Sequence, residues 1–214
     1  MSLDPKKTAK IARKLPEEGL QEARCFAIID LGIQQGSYKG QPTEPQPEVM
    51  LCWELTKFMN TYKEEDGPVP ATIMQKYTFS NGKKAKLPKV LKSWGQVKKE
   101  LEVLNLKPYL GQYCMLNIEH TANGDYANIS GNGTGVNPFM AQLKKPKPFY
   151  DNIWFDLDQF SWELFNKLPQ YPQKLIQKSE NWPAILKQHP APVGQGVTAE
   201  QEEVQVLDDD TPNF

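Results

Sequence analysis

Two alternating aromatic residues followed by a run of lysines form the part of the sequence best suited to chemistry. Tyr77 and Phe79 stand two residues apart in a strand-like run, and Lys83, Lys84 and Lys86 come directly after them. Flat aromatic rings bind unstacked bases by stacking, and ammonium groups bind phosphates. The pattern therefore predicts a surface that binds a nucleic-acid strand.

Further candidates for this surface lie on other predicted strands. Tyr113 and Tyr126 could turn their rings toward the same groove, and Arg24 and Lys76 are cations within strands. For each of them the alternative is structural, as a core ring or a solvated surface cation. The predicted DNA-binding residues are Arg24, Lys76, Tyr77, Phe79, Lys83, Lys84, Lys86, Tyr113 and Tyr126.

Charge is divided unevenly along the chain. The 214 residues have a formal net charge of −1. From Val197 onward there are six acidic residues and no Lys or Arg, so residues 1–196 hold 25 basic and 20 acidic residues and carry +5. A basic body followed by an acidic tail favours a polyanionic partner for the body.

Motifs of enzymes are missing from the sequence. It contains no P-loop, no GxGxxG, no GxSxG and no HExxH. Cys114 and His120 lie six residues apart on one predicted strand, which at ~3.3 Å per residue separates them by roughly 20 Å. We therefore expect no enzymatic activity, no cofactor and no metal site, and reduced, buried cysteines. A nuclease with scattered carboxylates is the enzymatic alternative.

The order of predicted elements indicates a small β-barrel. Strands are predicted over 23–33, 48–58, 71–79, 111–120 and 125–130, and a helix is predicted over 87–106. Five strands with a helix between the third and fourth are typical of an OB-fold. The expected class is mainly β with helices (α+β), with Trp53 and Trp94 assigned to the core.

Four regions follow from composition. Residues 1–19 form a flexible basic arm, 20–138 the five-stranded OB-fold barrel, 139–190 a helical, aromatic-rich extension packed on the barrel, and 191–214 a disordered acidic tail. Within the extension we predict helices near 158–168 and 172–179. The sequence has no 18-residue apolar run and no signal peptide, so we expect a cytoplasmic protein without a membrane span.

The tail combines a clustered anion with a terminal aromatic residue and a free carboxylate, which fits a basic-rimmed apolar pocket on a partner protein. It is similar to the tip of bacterial single-stranded-DNA-binding proteins, which ends Asp-Asp-Asp-Ile-Pro-Phe. Here Thr211 stands in the place of Ile, and Asn213 is inserted before the last residue. The predicted partner-binding residues are Asp208, Asp209, Asp210, Pro212 and Phe214.

The body resembles a family of phage-encoded single-stranded-DNA-binding proteins with an OB-fold. The resemblance covers about residues 15–130 and rests on four segments: LPEEGLQEARCFAIIDLGIQQGSYKG, MLCWEL, QKYTFS and LGQYCMLNIEH, the last followed by an Asn-Gly turn. It implies a protein that coats single-stranded DNA during phage replication, recombination and repair in the host-cell cytoplasm. The tail would then recruit replication or recombination proteins.

Alternatives stay open at this point. The chain could be an OB-fold protein–protein adaptor that binds no DNA, and the lysine-bearing helix could allow duplex DNA to bind as well. Edge strands and the aromatic segment 150–165 could both make a homodimer, so the oligomeric state is not settled by the sequence.

Overall fold

The fold is mixed α+β and consists mostly of sheet. The structure is a computed structural model that describes residues 14–61, 67–95 and 104–192. Its strands are β1 Gly19–Gln34, β2 Ser37–Tyr38, β3 Gln41–Pro42, β4 Gln46–Asn60, β5 Val69–Thr78, β6 Tyr113–His120, β7 Ala127–Ile129, β8 Val136–Pro138 and β9 Ile153–Phe155. Its helices are α1 Lys86–Trp94, α2 Ser130–Gly133, α3 Trp162–Lys167, α4 Gln170–Lys178 and α5 Trp182–Gln188.

The main sheet is open. Its strands follow the order β5-β4-β1-β6-β7, with β8 paired to β6 and β9 paired in parallel to β1. The predicted closed barrel is therefore wrong, since no backbone ladder joins β5 to β7 within the described residues. Strand β7 has only three residues, and the short segment α2 after it is a turn rather than a regular right-handed helix, since Gly131, Asn132 and Gly133 all have positive φ. The two edges approach through a side chain instead, as Tyr77 Oη donates to the Gly133 carbonyl at 2.6 Å.

Strand β1 is buried on both of its faces, which divides the interior into two cores. One core lies between the sheet and α1 and contains Trp53 and Trp94, whose ring centroids are 6.1 Å apart. The assignment of both tryptophans to the core is confirmed. The second core lies on the opposite face of β1 and β4, where Phe26 and Met50 pack against the C-terminal part of the chain.

Helix α1 covers the first core with its apolar side. Leu87, Val90, Leu91 and Trp94 are buried, which is the helical spacing that the sequence predicts. The helix is shorter than predicted because Gly95, with φ of +82°, ends it in the left-handed conformation. Of the rest of the predicted helix, 96–103 lies outside the described residues and 104–106 is not helical. The 3-10 turn Lys107–Tyr109 follows it.

Residues 150–190, called here the C-terminal layer, cover the second face of the sheet. The helices predicted near 158–168 and 172–179 are present as α3 and α4, and α5 follows them. Buried aromatic side chains anchor the layer through a common cluster, formed by Phe155, Phe160, Phe165 and Trp182. The basic arm, up to residue 13, and the acidic tail, from residue 193, lie outside the described residues.

Candidate nucleic-acid interface

The end of β5 displays an exposed aromatic side chain, and exposed cations follow it within five residues of the chain. Phe79 is 41% exposed, and its backbone N–H donates to the Pro47 carbonyl at 2.7 Å, which fixes the residue beside β4. A tight turn follows, in which Ala85 N–H donates to the Gly82 carbonyl at 2.9 Å. This turn carries Lys83 and Lys84, both exposed. Lys76, Phe79, Lys83 and Lys84 are called here the Phe79 surface.

Carboxylates are absent from the stretch of chain that carries these cations, although Glu48 on β4 pairs with one of them. Residues 67–95 contain six lysines and neither Asp nor Glu. Lys76 is about one-third exposed and pairs with Glu48 at 3.3 Å across the β4–β5 ladder, and Lys86 is half-buried at the start of α1. Lys89 and Lys92 continue the exposed positive charge along α1. A surface of one charge sign attracts a polyanion over a distance of about a Debye length.

Arg24 has a structural position, in contrast to the prediction that it holds phosphate. Its side chain is 2% exposed, and its Nε donates to Glu54 Oε1 at 2.6 Å. Its Nη1 donates to Asn152 Oδ1 at 2.5 Å and its Nη2 to the Tyr150 carbonyl. The sequence placed a cation within a strand but could not show that the C-terminal layer covers that face.

Tyr77 is also buried, so the expectation that it stacks on bases is not met in this structure. It is 2% exposed, and burial raises the pKa of its phenol well above the usual range. Its ring belongs to the first core with Trp53, on the opposite side of β5 from Lys76. The alternation of Tyr77 and Phe79 placed both on one side of the strand, but Phe79 lies beyond the last residue of β5 and is exposed there.

Tyr113 and Tyr126 lie apart from the Phe79 surface. Tyr113 is 7% exposed, its hydroxyl donates to the Pro146 carbonyl, and its ring contacts Phe139 with centroids 5.5 Å apart. Tyr126 is half-buried in the hairpin between β6 and β7, where Thr121 N–H donates to its carbonyl at 2.9 Å. The proposed partner-binding residues, Asp208, Asp209, Asp210, Pro212 and Phe214, lie outside the described residues.

A second exposed aromatic residue was missed by the sequence prediction. Phe149 is 54% exposed and follows the exposed Lys144, Lys145 and Lys147. The lysine cluster is visible in the sequence. An aromatic residue follows the last of these lysines by two positions, in a run broken by prolines. This combination of lysines and a ring is the sequence signal that would have pointed to Phe149.

A groove of about 550 Å³ lies between β5 and the C-terminal layer. Thr72 and Met74 line it from β5, Phe26 from β1, and Tyr150 and Leu168 from the layer. Phe26 and Tyr150 stand with ring centroids 4.9 Å apart at its wall. The groove therefore has an aromatic wall, and polar and charged residues line it as well, namely Asp151, Asn152 and Lys167.

Groups suited to catalysis are dispersed. In the described part of the chain, no three His, Cys, Asp or Glu side chains come together to hold a metal ion. Cys25, Cys52 and Cys114 are free and buried, and burial raises the pKa of the Cys25 thiol to about 12. His120 Nε2 lies 2.7 Å from the Pro16 carbonyl, so it fixes the start of the described chain to β6.

Comparisons with protein-family models, curated proteins and solved structures find no match to this chain. Among the described residues, no helix has the length and apolar character needed to cross a membrane.

Proposed function

We propose that the chain binds single-stranded DNA without sequence preference through the Phe79 surface. The observation that carries the proposal is Phe79 itself, a 41% exposed aromatic side chain at the end of a strand within a 29-residue stretch, 67–95, that holds six lysines and no acid. Single exposed apolar residues are common on protein surfaces, so the support comes from the combination of this ring with six lysines, which are the two kinds of group that a single strand requires.

The two kinds of side chain contribute different parts of the affinity. One base stacked on one ring is worth about 1–3 kcal/mol, independent of sequence because every base has a π-face. Each phosphate neutralised on a single strand contributes about 0.7 to the slope of log K against log salt. Lys83 and Lys84 together should therefore contribute a slope of about 1.4.

The chain order of the elements supports an OB-type fold. Strands β1, β4 and β5, then α1, then β6 and β7, follow the strand and helix order of that fold. The contact of Tyr77 with Gly133 brings the β5 edge toward the turn after β7, so we propose an OB-type sheet left open at this seam. Such folds bind oligonucleotides on a sheet face.

The C-terminal layer determines which part of the sheet is left for DNA. It buries the outer sides of β1 and β4 through Ile29 and Met50, while Lys76 and Thr78 on β5 stay at least partly exposed. We therefore assign the bound DNA strand to the β5 side of the sheet.

Action in phage DNA replication, recombination and repair is a further part of the proposal, and it rests on the resemblance to phage-encoded single-stranded-DNA-binding proteins. Asp208, Asp209, Asp210, Pro212 and Phe214 would then recruit replication or recombination proteins. Whether duplex DNA is a further ligand is tested by comparing the affinities for single-stranded and double-stranded DNA of the same sequence.

Titration of a fluorescent oligo(dT) at low and high salt tests the proposal. We expect binding at about 50 mM salt that weakens steeply as salt rises, because counterions compete for the lysines. Absence of binding at micromolar protein and low salt would reject it. The combined Lys83→Ala, Lys84→Ala and Lys86→Ala variant separates DNA binding from an adaptor function, since an adaptor would keep its protein partners and a DNA binder would lose affinity.

A further inference from the structure

A second basic and aromatic segment lies on the surface of the protein. Residues 144–149, called here the Phe149 segment, contain three lysines and no acid, and all three lysines are exposed. Phe149 is the most exposed of the large hydrophobic side chains of the described chain, at 54%. The segment thus repeats, in a different part of the chain, the combination of ring and cations found at the Phe79 surface.

The backbone of this segment is anchored in its middle, at Pro146, and at its end, at Phe149 and the following residue. Tyr113 Oη donates to the Pro146 carbonyl, and Phe149 N–H donates to Glu54 Oε1 at 3.4 Å. Tyr150 N–H donates to Glu54 Oε2 at 3.0 Å, and Tyr150 Oη donates to the Pro70 carbonyl at 3.2 Å. A ring held on a fixed backbone loses little conformational entropy when a ligand binds, which favours affinity.

The anchors also place Phe149 relative to Phe79. Glu54 on β4 pairs with Thr72 on β5, and Phe79 is seven residues further along the same chain direction. At about 3.3 Å per residue, the level of Thr72, where Phe149 is anchored, and the level of Phe79 are about 23 Å apart along β5. Lys76 lies between the two levels, and so does Met74, which lines the groove against the C-terminal layer.

We infer that the Phe149 segment is a second contact site for the same single strand of DNA, which runs beside β5 from Lys83 and Lys84 past Lys76 to Lys147 and Phe149. This inference rests on the proposed function. A strand of this extent fits within the ~4–16 nucleotides that one OB-type domain covers. Phe149 would stack on a base at the far end of the footprint, and Lys144 and Lys147 would bind phosphates there.

The length dependence of binding tests the inference. The variant is Lys144→Ala, Lys147→Ala and Phe149→Ala combined, and the matched control is Lys178→Ala, Lys187→Ala and Met59→Ala, which removes two exposed lysines and one 42% exposed apolar side chain elsewhere. Both are titrated with oligo(dT) of about 4 nucleotides, which is too short to reach both sites, and of about 16 nucleotides, the two ends of the range for one OB-type domain.

We expect the variant to lose about tenfold in affinity for the longer oligonucleotide and about 1.4 in its salt slope, with little change for the shorter one. The control should match the wild type at both lengths. Wild-type affinity and salt slope of the variant with the longer oligonucleotide overturn the inference and leave the proposed function intact. Failure of the wild type to bind either length rejects the proposed function itself.

A second measurement avoids substitutions. The wild-type chain is photo-crosslinked to 5-iodouracil-substituted single strands, and the crosslinked peptides are identified by mass spectrometry. Crosslinks to a peptide containing Phe149 as well as to one containing Phe79 support a strand that spans both sites. Crosslinks confined to the Phe79 peptide contradict it.

Discussion

Arg24 and Glu54 form an ion pair between neighbouring strands, with Nε 2.6 Å from Oε1 and both side chains 2% exposed. The pair continues into the C-terminal layer, because Arg24 also donates to Asn152 and to the Tyr150 carbonyl, and Glu54 accepts from Tyr150 N–H. This buried pair therefore joins β1 and β4 to the start of the layer that covers them.

Removal of one partner of this pair should destabilise the protein strongly. Arg24→Ala leaves the Glu54 carboxylate buried and uncompensated, which costs about 3–5 kcal/mol in comparable sites. Urea denaturation measures the free energy of unfolding. The double variant Arg24→Met with Glu54→Met removes both charges and should unfold less easily than Arg24→Ala. If Arg24→Ala leaves stability unchanged but weakens DNA binding, Arg24 is a phosphate ligand after all.

Tyr77→Phe distinguishes a core tyrosine from a stacking one. The substitution removes the hydroxyl that donates to the Gly133 carbonyl at 2.6 Å and keeps the ring. We expect a loss of about 0.5–1.5 kcal/mol in the free energy of unfolding, with unchanged affinity for single-stranded DNA. Tyr113→Phe is the parallel case, since its hydroxyl donates to Pro146. A loss of DNA affinity without loss of stability would return Tyr77 to the binding surface.

The sequence predicted where strands and helices lie more completely than which of their sides are buried. Strand positions and the apolar side of α1 follow from periodicity, and Leu87, Val90, Leu91 and Trp94 are buried as expected. Alternation in β5 shows that Tyr77 and Lys76 point to opposite sides, but it does not tell which side meets the core. The sequence therefore could not show that the ring of Tyr77 is buried in the first core.

The sequence also indicates only in part that β1 is buried on both of its faces. Its continuous apolar run, CFAII, is typical of a strand covered on two sides. What covers the second face is determined by contacts between residues more than one hundred positions apart, as between Ile33 N–H and Asn181 Oδ1 at 2.8 Å. Barrel closure depends in the same way on the length of β7, which no local pattern fixes.

Gly32 allows the C-terminal layer to approach β1. Its φ is +74°, and a Cβ at this position would lie 2.7 Å from Asn181 Oδ1 and 2.9 Å from Leu157 Cδ1. Gly40 has the same φ of +74° and nothing within 4 Å, so it is a matched control. Gly40→Ala should cost about 1 kcal/mol from backbone strain, and Gly32→Ala at least about 1 kcal/mol more from the clash. Equal unfolding free energies for the two variants would contradict tight docking of the layer.

The buried thiols should make the protein less stable in alkali. Burial raises the pKa of the Cys25 thiol from its ordinary value of 9.0 to about 12, and it raises the pKa values of the Cys52 and Cys114 thiols well above that ordinary value. The unfolded chain therefore releases protons above about pH 9 that the folded chain retains, so the free energy of unfolding falls as pH rises from there toward about 12. Urea denaturation at neutral and alkaline pH measures the slope. Cys25→Ala should reduce it, and an identical slope in that variant would show that other groups cause it.

Phe79→Ala is the most direct test of a binding role for a single side chain. Because Phe79 is 41% exposed, its removal should leave the free energy of unfolding within about 0.5 kcal/mol of the wild type. Loss of one base stack should lower the affinity for oligo(dT) by about 1–3 kcal/mol at fixed salt, without a change in the salt slope, since no cation is lost. Met59→Ala, which removes an equally exposed apolar side chain elsewhere, should bind as the wild type does. Equal losses in both variants would mean that exposed apolar area, and not a stacked ring, is what the DNA contacts.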